Sequence, residues 1–426
     1  MSNERRVVVT GMGVITSNGH GLEEFEKSLR NGISGIRSLQ KLIDLKFACQ
    51  VAGVPENVDE IKEKYFEKES LLAMNEAMVY AGIASIDAWK DAGLEVPDMD
   101  SEALWDTGAI IGAGLGGMDT IGKLVVPRVD AGRVQRMGST AVEQTMASSI
   151  SAKVGGLLAI GNILSSNSSA CNTGTEAIIE SYYRIKHGYA EKMVSGGVEG
   201  SSEYIWGGFD GMKVLNSSHN DTPEQASRPM SASAAGFIPG SGGGILYMET
   251  LESAQKRGAR IYAEIIGGAL NCGGQRMGGS MTAPNPTSVQ RCLKDAIRMS
   301  GIKAEEIDYV NGHLTATMAD PHEVNNWSKG LGRGPENFPL INSTKSMIGH
   351  CLGAAGSIES VASILQLNKG FVHKSLNCED LHEKIKPFEK SVVQETKEVE
   401  LNIVAKASFG FGDVNGCVIY KKWNDK

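Results

Sequence analysis

The chain has 426 residues, 41% of them apolar and 22% charged, with a formal net charge of −8. That length allows a large core and two domain-sized halves, and an acidic balance without any Lys/Arg-rich block argues against a nucleic-acid binder. The seven cysteines (49, 171, 272, 292, 351, 378 and 417) are scattered with no CxxC pair, so neither a disulfide framework nor a zinc site is expected and a reducing cytoplasm fits best.

Residues 1–4 are polar, and the apolar run at 7–9 is too short for a signal peptide. No stretch reaches the roughly 18 apolar residues of a membrane helix; Lys153 interrupts the best region. Residues 5–16 (RRVVVTGMGVIT) read as a buried strand ending in a glycine turn, 21–31 as a short helix, 53–70 as charged surface and 71–92 as an amphipathic helix. A second strand at 105–111 runs into Gly112-x-Gly114-x-x-Gly117. Helices and loops are expected over 118–160, and strands at 193–198 and 242–249. From Arg260 the pattern restarts, with a strand at 261–270, a helix at 288–300 and a short strand at 307–311 leading to His313. Small residues then open a helix at 349–367, and the last strands are 402–407 and 417–421. Alternating strands and helices imply parallel sheets with covering helices. GHCLGAAGSIESVASILQL echoes CNTGTEAIIESYYRIKH, which points to an internal duplication with a boundary near residue 255.

Chemistry concentrates in a few places. Small polar residues at 165–170 crowd up to Cys171, and a helical pattern follows at once. A thiol at a helix N-terminus is biased toward thiolate, and the unpaired N–H groups there can hold an oxyanion. That is how a cysteine nucleophile for acyl transfer is built, although a lone cysteine is more often a buried structural residue. His313, immediately after a strand, and His350, just before a helix, can both project into the crevice where such sheets place ligands; singly, each reads as an ordinary surface or core histidine. Together, two imidazoles able to donate hydrogen bonds could polarise a thioester carbonyl and stabilise an enolate. Lys345, five residues before His350, could hold one imidazole or tune its proton affinity. The glycines at 112, 114 and 117 formally satisfy a dinucleotide fingerprint, but no clean helix follows and no acid stands about 20 residues on. A tight loop against the active-site region is expected instead. Phe409 and Phe411, in a glycine-rich turn between two strands, could cover a cavity.

As a set, RRVVVTGMGVIT, SSACNTG, the run from ASRPMSAS to YAEIIG, YVNGHLTAT, NSTKSMIGHCLGAAGSIES and SFGFGDVNG resemble the β-ketoacyl-acyl-carrier-protein synthases. These are condensing enzymes of thiolase fold, and the likeness is to the elongating I/II class. The resemblance implies two duplicated α/β halves in a layered α-β-α-β-α core, residues 1–255 carrying the nucleophile and 256–426 carrying both histidines. It implies that Cys171 accepts the acyl chain, that His313 and His350 complete a Cys-His-His triad, and that Lys345 stands beside it. The backbone N–H groups of Cys171 and Phe411 would form the oxyanion hole, with Phe411 also the gate. Thr315 and Thr317 would touch the phosphopantetheine arm, and Lys213 falls where a carrier-docking arginine often lies. Such enzymes condense an acyl chain with malonyl on acyl carrier protein, are usually dimers, and use no metal or organic cofactor.

Four departures from the family pattern stand out. The family's HGTSTP reads His313-Leu314-Thr315-Ala316-Thr317-Met318, and its downstream glutamate falls at Glu323, one residue early. GFGGTN reads Gly410-Phe411-Gly412-Asp413-Val414-Asn415, and Leu71-Leu72-Ala73-Met74 replaces a basic cluster. A specialised type II polyketide or aryl-polyene ketosynthase, paired with a chain-length-factor subunit, therefore stands beside fatty-acid elongation. A chain-length factor itself typically lacks the nucleophile, which this chain keeps. A thiolase would need a second catalytic cysteine, for which Cys417 is the only candidate, and its apolar surroundings (CVIY) favour core packing.

Overall fold

The computed structural model describes residues 5–424; the polar residues 1–4 lie outside the described residues. Ten strands form the backbone of the molecule. They are β1 (Val7–Thr16), β2 (Thr107–Gly112), β3 (Leu164–Ser165), β4 (Lys192–Glu199), β5 (Gly242–Thr250), β6 (Ala263–Cys272), β7 (Tyr309–Asn311), β8 (Leu340–Asn342), β9 (Ile403–Gly410) and β10 (Val414–Lys422). Their spatial order is β8-β7-β9-β10-β6-β1-β5-β4-β2-β3.

The same pattern occurs twice in that order. In the first half, β1 pairs antiparallel with β5 and β5 with β4, after which β4–β2 and β2–β3 are parallel. In the second half, β6 pairs antiparallel with β10 and β10 with β9, after which β9–β7 and β7–β8 are parallel. The half-sheets meet edge to edge at Val7↔Ile265, Val8↔Glu264 and Val9↔Ala263, so the hydrogen-bonded ladder runs unbroken through both.

The longer helices include α1 (Glu76–Asp91), α2 (Ser149–Leu157), α3 (Thr173–Lys186), α4 (Glu203–Gly211), α5 (Pro286–Ser300), α6 (Asp320–Leu331) and α7 (Ala355–Lys369). The first two pack against the first half, and α5 packs on the second with α6 against it. Between the half-sheets lie α3 and α7, each touching strands of both. The result is an α-β-α-β-α stack of thiolase-like architecture.

Position in the stack decides burial. In the middle layer, every residue of α7 from Ala355 to Leu367 is buried, as a helix with sheets on both sides must be. The expected amphipathic helix at 71–92 differs from its structure. It starts at Glu76, where the Asn75 side chain accepts the Met78 N–H at 2.8 Å, an N-cap that fixes the first turn. It is buried nearly all round rather than on one face, with Lys90 its one exposed residue. Strands β1 and β5 cover one side of it, and α2 and Phe66 close the other.

Candidate active site

Two equivalent chain segments build the centre of the molecule. Ala170 (φ 51°) and Leu352 (φ 46°) each adopt the left-handed conformation, which costs a residue with a Cβ about 1 kcal/mol or more. Each opens a single 3₁₀ turn, Ala170–Asn172 and Leu352–Ala354, that runs straight into α3 and α7 respectively. The two helix starts touch backbone to backbone. A Cβ on Gly174 would lie 2.7 Å from the Ser357 nitrogen, and one on Gly356 would lie 2.2 Å from Thr175 Oγ1. Glycine is therefore required at both positions. This close crossing sets His350 Nε2 3.1 Å from Cys171 Sγ.

The ring of His350 is oriented from behind. Its Nδ1 accepts the Leu352 N–H at 3.2 Å, so in the neutral ring the proton sits on Nε2, facing the sulfur. His313 arrives from the end of β7, its ring centroid 5.3 Å from that of His350 and nearly perpendicular at 84°. The Glu323 carboxylate holds the backbone there, accepting the N–H of His313 at 2.6 Å and of Leu314 at 2.7 Å. The buried Nδ1 of His313 has no hydrogen-bond partner. One sulfur and two ring nitrogens, from Cys171, His313 and His350, thus lie within 4.8 Å of one another. These are also donor types that suit a zinc ion.

Burial governs the charges. It pushes the Cys171 thiol up to about 12, against the pull of Lys345 and of the Phe411 and Cys171 backbone N–H groups. Desolvation thus outweighs the favourable charges at this helix N-terminus and favours the thiol over the thiolate. Burial also drives both imidazoles well below their usual range, with Lys345 and Lys406 lowering them further. The structure gives Lys345 a carboxylate partner, Glu359, in place of an imidazole. It acts on the rings through its charge. Lys406 binds the other oxygen of Glu359 at 2.8 Å.

The remaining residues surround this centre. A row of aromatic rings leads to His350, from Phe411 to Phe209 (6.3 Å between centroids), Phe237 (5.5 Å) and the imidazole (5.2 Å). Thr315 and Thr317 are half-buried with their hydroxyls 3.0 Å apart. Lys213 is exposed just past the end of α4, outside the Cys-His cluster. Asp413 is fully buried, and its carboxylate accepts the N–H groups of Gln275 at 2.9 Å and Asn285 at 2.7 Å. Together with the Gly412 N–H bound to Met281 O at 2.8 Å, it ties the turn carrying Phe411 to the 273–285 segment. Cys417 packs in the core of the second half with Cys292 and Phe409, so a catalytic thiol there has no support.

The glycine loop 112–117 does cradle a carboxyl group, but it belongs to the protein. Gly114 and Leu115 donate to the Glu199 carboxylate at 2.8 and 3.0 Å, and Gly353 adds a third N–H at 2.9 Å. Burial raises this carboxyl to about 7. Reading the sequence missed Glu199, Glu359 and Lys406. A lone lysine inside the apolar run IVAKASF was the available signal for Lys406.

A thiol flanked by two imidazoles, where the halves of a thiolase-like fold meet, defines a condensing acyltransferase. The chain belongs to the β-ketoacyl synthase family: residues 4–254 match its N-terminal domain and 262–379 its C-terminal domain. It is 36% identical over 426 residues to the 3-oxoacyl-[acyl-carrier-protein] synthase 1 of Haemophilus influenzae, spanning 99% of this chain and 100% of that relative. Among solved structures it is similar to the ishigamide ketosynthase/chain length factor (TM-score 0.88, 29% identity, 99% of this chain and 100% of that one). It is also similar to a type II polyketide synthase ketosynthase in complex with its acyl-carrier protein (TM-score 0.87, 25% identity, 99% and 100% covered). Among the described residues no helix is long and apolar enough to cross a membrane.

Proposed function

We propose that this chain is a β-ketoacyl-acyl-carrier-protein synthase in which the two halves, residues 1–255 and 256–426, supply the nucleophile and the imidazoles respectively. The 3.1 Å approach of His350 Nε2 to Cys171 Sγ, with Nδ1 occupied by the Leu352 N–H, carries this reading. In the first half-reaction Cys171 Sγ attacks the thioester of an acyl-carrier protein. The N–H groups of Cys171 and Phe411 receive the oxyanion, the carrier's sulfur leaves, and the thiol proton of Cys171 ends on it. In the second, malonyl-carrier protein binds with its thioester carbonyl against the Nε2–H groups of His313 and His350. Loss of CO2 leaves an enolate on that carbonyl. Its carbon attacks the acyl-Cys171 carbonyl, the C–S bond breaks with its electron pair going to Sγ, and a 3-ketoacyl-carrier protein departs while Cys171 Sγ takes a proton from solvent. An imidazole carrying its proton on Nε2 serves this step, because that N–H donates a hydrogen bond to the thioester oxygen on which the enolate charge develops.

Around this chemistry Phe411 serves as the gate, and Thr315 and Thr317 contact the phosphopantetheine arm. The exposed Lys213 supplies a positive charge for the acidic carrier, and two copies assemble into a dimer. Replacing the nucleophile tests the proposal. Cys171→Ala should abolish acyl labelling from acyl-carrier protein together with chain extension, as followed by mass spectrometry. Retained extension would remove Cys171 from its role.

Similarity to a ketosynthase/chain length factor favours a second reading, in which the chain is the catalytic half of a heterodimer in a specialised polyketide or aryl-polyene pathway. Products formed from a panel of acyl-carrier substrates, with and without the native partner subunit, separate the two.

A further inference from the structure

The turn between β9 and β10 carries a carboxylate that the proposed reaction does not use. Asp413 is fully buried, and its backbone is left-handed at φ 62°. Glycine adopts that conformation freely, whereas a residue with a Cβ adopts it at a cost. The cost comes with a set of contacts. Oδ2 accepts the Gln275 N–H at 2.9 Å, Oδ1 accepts the Asn285 N–H at 2.7 Å, and the Asp413 carbonyl accepts the Gly273 N–H at 2.9 Å. Backbone N–H groups on a carboxylate make some of the stronger hydrogen bonds in proteins.

Two glycines leave the room that this carboxylate occupies. A Cβ on Gly273 would stand 2.2 Å from Oδ2, and one on Gly279 would stand 2.4 Å from the same atom. The segment 273–285 is thus shaped around Asp413. It is exposed over most of its length, but its far end is firm: Asn285 is buried, and its side chain caps α5 by accepting the Thr287 N–H at 2.9 Å. On the other side the turn rests on the nucleophile's own 3₁₀ turn. A Cβ on Gly410 would lie 2.5 Å from Ser169 O and 3.2 Å from the Asn172 nitrogen. Phe411 comes next, its N–H directed at the Cys171 sulfur. Because Phe411 stands between Gly410 and Gly412, the local chain is permissive. A fixed position for its N–H has to come from contacts further along, and Asp413 makes them.

We propose that Asp413 is a positioning residue for acyl transfer: its carboxylate, seated in the notch between Gly273 and Gly279, fixes the Phe411 N–H over Cys171. The proposal rests on the reading of that N–H as half of the oxyanion hole. An oxyanion donor is effective only when it already stands about 2.7–3.1 Å from where the charge will develop, so anchoring the turn to α5 sets the donor before the substrate arrives.

Two variants disturb the carboxylate from opposite sides. Asp413→Asn keeps its shape but turns an NH2 group toward one of the two N–H donors. Gly279→Ala leaves Asp413 in place and sets a methyl group against Oδ2. In both, hydrogen exchange over 273–285, read by mass spectrometry, should quicken about tenfold or more. The single-turnover rate of Cys171 acylation at saturating acyl-carrier protein should fall about tenfold or more, short of the roughly hundred- to thousandfold that follows outright loss of a donor. The half-saturating carrier concentration should stay within about twofold of the parent. That split marks positioning, because a merely structural residue changes the fraction of folded protein, which a single-turnover rate does not read. Acylation at the parent rate would overturn the proposal. So would slowed acylation with unchanged exchange, or with a matching rise in the half-saturating concentration. Should Asp413→Asn not fold, Gly279→Ala decides alone. The exchange measurement needs no turnover, so a parent that takes up no acyl group refutes the acyl-transfer reading itself, whereas the other adverse outcomes refute only the role of Asp413.

Discussion

Around Cys171 burial acts in opposite senses on two kinds of group. It lifts acids, as at Cys171, Glu199 and Glu323, and it depresses bases, as at His313, His350 and His373. Around the sulfur burial thus favours the uncharged forms, while the ion pairs of Lys345 and Lys406 with the single carboxylate of Glu359 sit behind it. Glu199 gives this pattern a measurable consequence. Its folded value of about 7 lies above the roughly 4.3 of a free glutamate, so the native state holds a proton that the unfolded chain releases. The stabilisation is present in full below the unfolded value and is lost as pH rises through about 7. Thermal denaturation should therefore show the parent losing Tm between about pH 5 and 7 more steeply than Glu199→Gln; parallel slopes would mean that the carboxylate is ionised in the folded state. Cys171, His313 and His350 were legible in the sequence because each is framed by a local motif. Glu199, Glu359 and Lys406 were not, because their roles come from partners 85, 14 and 47 residues away (Gly114, Lys345 and Glu359).

At the scale of elements, the site is made by two helices that begin alike. Local sequence gave both starts and their echo, since small residues before a helical pattern are a nearest-neighbour signal. What it could not give is that the starts cross at Gly174 and Gly356, or that β1 joins β6 edge to edge across some 250 residues of chain. The helix at 76–91 was misread as amphipathic for the same reason, because its outer cover comes from α2 and Phe66. The crossing yields a prediction. A methyl group at residue 356 would stand 2.7 Å from the Thr175 nitrogen as well as against its hydroxyl, and backbone on both sides leaves little room to relax. Gly356→Ala should cost about 1–3 kcal/mol, read as a lower midpoint in urea unfolding. By pushing α7 away from α3 it should also slow acylation of Cys171 at least tenfold in protein that remains folded. A variant that acylates at the parent rate would mean that the contact between Cys171 and His350 does not depend on this crossing.

For the molecule as a whole, the two ends of the long sheet are treated differently. At β8 the edge is covered: the Ile341 N–H binds Ser391 O at 2.9 Å, and the Val393 N–H returns to Ile341 O at 3.1 Å. At β3, Ile163 O accepts the Ala109 N–H at 2.8 Å, which by strand alternation turns the backbone groups of Leu164 outward. That edge carries a half-exposed leucine, Leu164. An open edge is a site for pairing with another chain. It is the natural place for the dimer proposed above, because a second copy related by a two-fold axis would continue the sheet through β3. Leu164→Pro removes the outward N–H without breaking the ladder to β2. Sedimentation velocity should then show a dimer for the parent and a shift to monomer for the variant, with circular dichroism unchanged. A variant that sediments as the parent does would place the interface elsewhere on the molecule.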